Sequence, residues 1–234
     1  MSILGVIPAA GEGKRWGGYL KEFLPINEEE KVIDHLIRSM KLAGATKFLV
    51  ISNPEKIAAH SKYLSSRYDN IFYIMQTRQL DIWGAMLASL PFSEDYNLFG
   101  FPDTYFDTDA YNFNYQARVF GKAENLFIGM HETNMPERFG VLYNNKMVDK
   151  RTDLPKDTYL AWGPLIWTKN VANYWLERDR KAPILHYNDA INLVMDKFGY
   201  KIFKIKSYID FASWKDYLMF LERIIWDTDS DNYQ

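Results

Sequence analysis

The sequence predicts a three-layer α/β sandwich around a mostly parallel, mixed central sheet. Two observations carry this. An apolar β-type run at residues 3–7 opens into a loop holding Gly11, Gly13, Gly17 and Gly18. Short apolar runs suited to buried strands then alternate with helical patterns, the rhythm of βαβ units. That rhythm implies a parallel sheet covered on both faces.

The elements follow in order. Ile33, Leu36, Ile37 and Met40 recur at helical spacing, and Gly44 marks the helix stop. Residues 48–51 form a second strand, bounded by Asn53-Pro54, with the proline expected in the first turn of the next helix. Residues 71–75 read as a third strand, 82–90 as a helix ended by Pro91, and 96–101 as a fourth strand. Beyond Asp107 the alternation loosens into a helix at 111–120 and strand-like runs at 126–130, 139–143 and 159–167. Helices at 171–178 and 189–198, a strand at 202–205, and a last helix opened by Ser213 and Asp216 and running through Trp226 complete the pattern. Residues 227–234 are a polar tail, and 1–234 read as a single domain.

Composition narrows the function. The 234 residues are 47% hydrophobic and 16% aromatic, enough for a sizeable core, and the aromatic content leaves room for a homo-oligomer interface. A net charge of -2 argues against a nucleic-acid or anionic-membrane partner. With no cysteine, thiolate chemistry and cysteine-held metals are excluded. Neither a membrane span nor a signal peptide is expected, so the reading is a cytoplasmic enzyme with a small-molecule substrate. His35, His60, His131 and His186 show no ligand or triad spacing and receive no role.

The first loop suits a polyphosphate, since convergent N–H groups and the fixed charges of Lys14, Arg15 and Lys21 can replace its water shell. It is neither a P-loop nor a dinucleotide fingerprint. Asp103 follows the fourth strand, and Asp210 stands between a late strand and the last helix. Each alone is an ordinary turn residue, but together they can share a hard cation such as Mg2+ beside the loop. Asp149-Lys150 is either a solvated hairpin turn or a hydroxyl acceptor beside a phosphate-binding cation.

These residues, in this order, resemble the sugar-1-phosphate nucleotidylyltransferases, from residue 3 to about residue 222. Gly11-Glu12-Gly13-Lys14-Arg15, then Lys21 before Leu24-Pro25-Ile26, is similar to that family's opening signature. Phe101-Pro102-Asp103, Phe139-Gly140-Val141, Asp149-Lys150, Trp162-Gly163, Asn188-Asp189-Ala190-Ile191 and Tyr208-Ile209-Asp210 resemble its later motifs. The resemblance implies a Rossmann-like nucleotide-diphospho-sugar transferase fold, a nucleoside triphosphate and a sugar 1-phosphate as substrates, and Mg2+ as cofactor. By the same resemblance Arg15 and Lys21 are catalytic, Ala9, Ala10, Gly11, Gly13, Gln76 and Gly84 bind the nucleotide, and Asp103 and Asp210 bind the metal. Gly140, Asp149, Lys150 and Gly163 would bind the sugar phosphate. The chain departs from the family in a shortened loop at residues 16–20, in Pro102 for a glycine, and in Arg151 for a proline. Further departures are Phe211-Ala212-Ser213 in the last signature and a longer spacing from Gln76 to Gly84. Alternatives are a nucleotide-sugar-dependent glycosyltransferase, which would ordinarily carry Asp-x-Asp where Tyr105 stands, a cytidylyltransferase acting on a phospho-alcohol such as phosphocholine, and an idle nucleotide-binding homologue.

Overall fold

The structure is a computed structural model that describes residues 1–13, 16–76, 81–106 and 125–230. Its strands are β1 (Ile3–Pro8), β2 (Lys47–Ser52), β3 (Ile71–Met75), β4 (Tyr96–Phe99), β5 (Thr104–Phe106) and β6 (Leu126–Thr133), followed by β7 (Val141–Tyr143), β8 (Lys146–Val148), β9 (Tyr159–Thr168), β10 (Lys201–Lys204) and β11 (Tyr208–Asp210). The helices are α1 (Val32–Leu42), α2 (Ile57–Leu64), α3 (Ile82–Ser89), α4 (Lys169–Lys181), α5 (Tyr187–Phe198) and α6 (Trp214–Ser230). The expected helix at 111–120 lies outside the described residues.

The main sheet runs β10-β6-β9-β4-β1-β2-β3, with the β7–β8 hairpin attached through β7 to β9. β1 pairs in parallel with both β2 and β4, and β2 with β3, while β9 runs antiparallel to β4 and β6. The sheet is therefore mixed, as expected. β1 proceeds to β2 on one side and has β4 on the other, so the loops after β1 and β4 open into one crevice at the carboxyl ends of the strands.

Alternation along each strand divides the interior into two cores. Ile3, Ile7, Phe48 and Val50 pack with Ile33, Leu36, Ile37 and Met40 of α1 on one face. Leu4, Val6, Leu49 and Ile51 face α3, α4 and α5 on the other, where Trp83, Trp167 and Trp175 meet edge to face. Strands buried on both faces explain the unbroken apolar runs in the sequence. A smaller third core joins Trp16, Leu24, Ile26 and Val32 to Phe211, Tyr217 and Phe220 of the C-terminal part.

Several boundaries differ from the sequence reading. α2 begins at Ile57 rather than around Pro54, because the Asn53 carboxamide accepts from Lys56 N at 2.9 Å and spends the proline on a turn. β4 ends at Phe99, and α5 starts at Tyr187. Asp210 lies in a short strand of its own, β11, paired antiparallel with β5 away from the main sheet. Gly44 ends α1 at φ +96°, and Ser213 caps α6 by accepting from Asp216 N at 3.3 Å, as the sequence implies. α6 continues past Trp226 to Ser230. No helix among the described residues is long and apolar enough to cross a membrane.

Two structural consequences can be measured. A methyl group on Gly5 would sit 2.7 Å from the Phe48 ring and 2.8 Å from Met40 Sδ, between β1 and α1. Gly5→Ala should therefore destabilise the fold by about 1–3 kcal/mol, read as a lower urea midpoint at unchanged slope. His131, stacked on Tyr208 at 4.1 Å, is held by burial at a pKa of about 4 instead of 6.5. As pH falls from 6.5 toward 4 the unfolded chain takes up a proton that the folded chain refuses, so stability should drop across that window. His131→Phe should remove roughly 1–2 kcal/mol of the loss between about pH 7 and pH 5 in urea titrations.

Candidate active site

The loop after β1 is fixed at both ends. Ala9 N donates to Ile51 O at 2.7 Å, and Ala10 O accepts from the Asn53 carboxamide at 2.9 Å, which ties the first residues of the loop to the end of β2. Gly13 adopts φ +64°, a left-handed conformation in which a side chain would be strained. Its carbonyl then accepts from Trp16 N at 2.9 Å. Trp16 is 3% exposed, and its indole N–H donates to Phe211 O at 3.1 Å. The indole thus joins the loop to the residue after Asp210. Gly17 and Gly18, both at positive φ, return the chain to the single helical turn Lys21–Phe23.

That turn points Lys21 across the crevice. Its Nζ donates to Asp103 Oδ2 at 2.5 Å, with both side chains mostly shielded from solvent. Pro8, Ala9, Gly11, Gly13, Lys21 and Asp103 line one cavity of about 250 Å3. Asp103 and Asp210 are brought together by β5 and β11: Thr104 pairs with Asp210, and Phe211 N donates to Asp103 O at 3.3 Å. Two acidic residues 107 positions apart in sequence thus come together along the backbone, Asp103 immediately before β5 and Asp210 at the end of its partner strand β11. Burial and the charges of Asp210 and Asp103 hold the Tyr208 phenol well above its ordinary pKa, so it stays protonated beside them. Arg138 approaches from the other side, 3.8 Å from Asp210 and 3.6 Å from Asp216.

The expected sugar-side residues form a second group. The Asp149 carboxylate accepts from Tyr187 Oη at 2.6 Å, and the adjacent Lys150 sits at φ +36°. Gly140 leaves the space that Tyr187 and Trp162 fill, since a Cβ there would lie 2.3 Å from the Tyr187 hydroxyl and 2.5 Å from the Trp162 indole nitrogen. Trp162 in turn packs against Phe101 with ring centroids 5.2 Å apart, which connects this group to the Phe101-Pro102-Asp103 turn. Gly163 faces the opposite side of β9, where a Cβ would meet the Tyr208 ring at 2.7 Å. Both glycines are explained by packing.

The remaining expectations divide. Gln76 ends β3 with its N–H on Ser52 O at 2.7 Å, at the same strand ends. Gly84 is buried in the first turn of α3, capped by Asp81, with its N–H on Asp81 O at 3.0 Å, so that amide is already engaged. Arg15 lies outside the described residues.

Sequence reasoning missed a buried chain of polar groups below the cavity. Glu22, 3% exposed, accepts on one oxygen from His60 Nε2 at 2.8 Å and from Lys56 Nζ at 3.1 Å. Burial alone would raise the Glu22 pKa, but the His60 hydrogen bond and the Lys56 charge outweigh it and hold it below the ordinary carboxylate value. Ser52 Oγ completes the chain 2.8 Å from His60 Nδ1. The four residues come from the turn after the loop, the end of β2 and the start of α2. No local spacing in the sequence could signal them.

A glycine-rich loop with Lys21, Lys56 and Asp103 on the same cavity can gather a polyphosphate and neutralise it. A search of curated proteins finds no match. Among solved structures, a putative glucose-1-phosphate thymidylyltransferase from Bacillus anthracis, crystallised with a sucrose, is similar over 94% of each chain, with a TM-score of 0.80 and 19% identity. The family model described as nucleotidyl transferase matches residues 4–223. The chain belongs to the nucleotidyl transferase family.

Proposed function

We propose that the protein transfers a nucleotidyl group from a nucleoside triphosphate to a sugar 1-phosphate, releasing pyrophosphate and forming a nucleotide sugar. The observation that carries this reading is the Lys21–Asp103 pair at 2.5 Å under the glycine loop, with Asp210 paired to Thr104, the residue that follows Asp103. A phosphate oxygen of the sugar phosphate forms a bond to the α-phosphorus. The bond from that phosphorus to the bridging oxygen breaks, and pyrophosphate leaves with the electron pair. The attacking oxygen is already ionised, so no general base is required. This agrees with a site in which the nearby histidines are engaged in packing or buried hydrogen bonds.

Two polyanions must meet in line, so most of the catalysis is positioning and charge neutralisation. The backbone of Gly11 and Gly13 cradles the triphosphate beside Ala9 and Ala10. Lys21 neutralises the phosphates at the point of attack, and Arg15 steadies the departing pyrophosphate. Gln76 and Gly84 contact the base. Asp149, aimed by Tyr187, accepts from sugar hydroxyls, Lys150 binds the sugar phosphate, and the close packing at Gly140 and Gly163 shapes that half of the site.

Asp103 and Asp210 fit a magnesium ion. They are hard oxygen donors, one in the turn before β5 and one on its partner strand β11, and among the described residues no group of three or more histidine and acidic side chains could hold a metal ion alone. Mg2+ suits such a sparse donor set because it keeps phosphate and water oxygens in its shell. When bound it would supply positive charge at the α-phosphate. Asp103 would then exchange part of its bond to Lys21 for the ion, leaving the lysine for phosphate.

The test is pyrophosphate release from purified protein with Mg2+, a panel of nucleoside triphosphates and a panel of sugar 1-phosphates. Turnover is expected with at least one pair, and Asp103→Asn should lower it by roughly 10²–10⁴-fold at an unchanged melting temperature. Release of nucleoside diphosphate from a nucleotide sugar instead would identify a glycosyltransferase. Triphosphate binding without turnover across the panel would make the protein an idle homologue.

A further inference from the structure

The cavity under the glycine loop contains a second lysine, Lys56, that the reaction described above leaves without a task. It sits on the turn after β2, and its side chain is 10% exposed. Its Nζ lies 3.1 Å from Glu22 Oε1, and both residues line the cavity that also presents Gly11, Gly13, Lys21 and Asp103. Behind Glu22 stand His60 and Ser52, each making a hydrogen bond of 2.8 Å within the chain.

Such an arrangement is a poor choice for stability alone. Removing an ammonium and a carboxylate from water costs more than their attraction ordinarily returns, and apolar side chains would fill the same space as well or better. Here the charged pair borders a cavity, and the charge on Glu22 is favoured by two donors. An ammonium carries three N–H groups. Glu22 takes one, and two remain for a ligand. The described charges around the cavity form two matched pairs, Lys21 with Asp103 and Lys56 with Glu22. Lys21 is shared with Asp103, whereas Lys56 is anchored by Glu22, which is itself held by His60, and His60 by Ser52, both outside the cavity lining.

We infer that Lys56 is a triphosphate-binding residue of this cavity, and that Glu22, His60 and Ser52 form the positioning chain that holds its ammonium in place. A polyphosphate entering the cavity would accept from Lys56 on one side and from Lys21 and the loop amides on the other. The inference rests on the nucleotidyl-transfer reading only for the identity of the molecule that carries the polyphosphate.

Calorimetric binding of inorganic tripolyphosphate and of dTTP, each with Mg2+, to wild-type protein, K56M and K56R separates the possibilities. K56M should weaken both ligands by about tenfold or more, because a charge-assisted hydrogen bond is lost, and K56R should recover part of that affinity. Where turnover is measurable, K56M should raise KM for the triphosphate and leave KM for the sugar phosphate unchanged. Wild-type affinity in K56M, accompanied only by a lower melting temperature, would overturn the inference and make Lys56 structural. If K56M does not fold, amine acylation of Lys56 in the wild-type protein, followed by peptide mass spectrometry, gives the same decision. Protection by tripolyphosphate supports the inference, and unchanged labelling overturns it. Failure of every substrate pair to release pyrophosphate would defeat the transfer reading while leaving the tripolyphosphate comparison intact.

Discussion

The structure depends on bringing opposite charges to the carboxyl ends of two neighbouring strands, and the bond between Lys21 and Asp103 expresses that constraint. The two residues follow β1 and β4, which are adjacent only because the chain leaves β1 toward β2 and returns on its other side. The two-sided apolar core holds β1 and β4 in place, and the buried Asn97 of β4 is tied to Glu94 O and Trp167 O. The charged pairs of the cavity stand beyond the strand ends, where partial burial strengthens each interaction. The same burial requires each cation around the cavity to have a carboxylate partner while no anion is bound. Glu22 and Asp103 meet that requirement.

Much of this was legible in the sequence because it is encoded locally. Strands buried on both faces must be largely apolar, which made β1, β2 and β4 visible, and the edge strand β3 showed as an apolar run although Phe72 and Met75 are exposed. A helix stop such as Gly44 carries its backbone requirement in the residue itself. The loop, Asp103 and Asp210 were readable as kinds of residue at kinds of place. What the sequence could not give was the two-stranded ladder that makes Asp103 and Asp210 neighbours, since β5 and β11 are three residues each and carry no periodicity. The Glu22, His60 and Lys56 chain was hidden for a related reason. His60 has no partner within reach along its own segment, and its hydrogen bond to Glu22 spans 38 positions.

The glycines illustrate the limit of motif reading. Gly140 and Gly163 sit in stretches similar to sugar-binding motifs, yet the structure gives each a steric reason independent of any ligand. Tyr187 and Trp162 occupy the volume of a Cβ at Gly140, and Tyr208 occupies it at Gly163. The functional consequence is indirect. Close packing at Gly140 lets Tyr187 reach Asp149, and close packing at Gly163 seats Tyr208 in the field of Asp103 and Asp210. These glycines act on the site through the aromatic side chains they admit.

The shortened first loop can be understood in the same terms. A long glycine-rich loop gains its shape from the anion it wraps and loses conformational entropy when it does so. Here the short segment after Gly13 carries Trp16, which is buried in the third core, 4.3 Å from the Trp214 ring, and donates its indole N–H to Phe211 O. Trp16 is thus held by packing against the same C-terminal unit that carries Asp210. The backbone at Trp16 is therefore positioned during folding, and the entropy of ordering it is not left to be met during binding. Placing a tryptophan in this segment thereby couples the end of the first loop to the residue that follows Asp210.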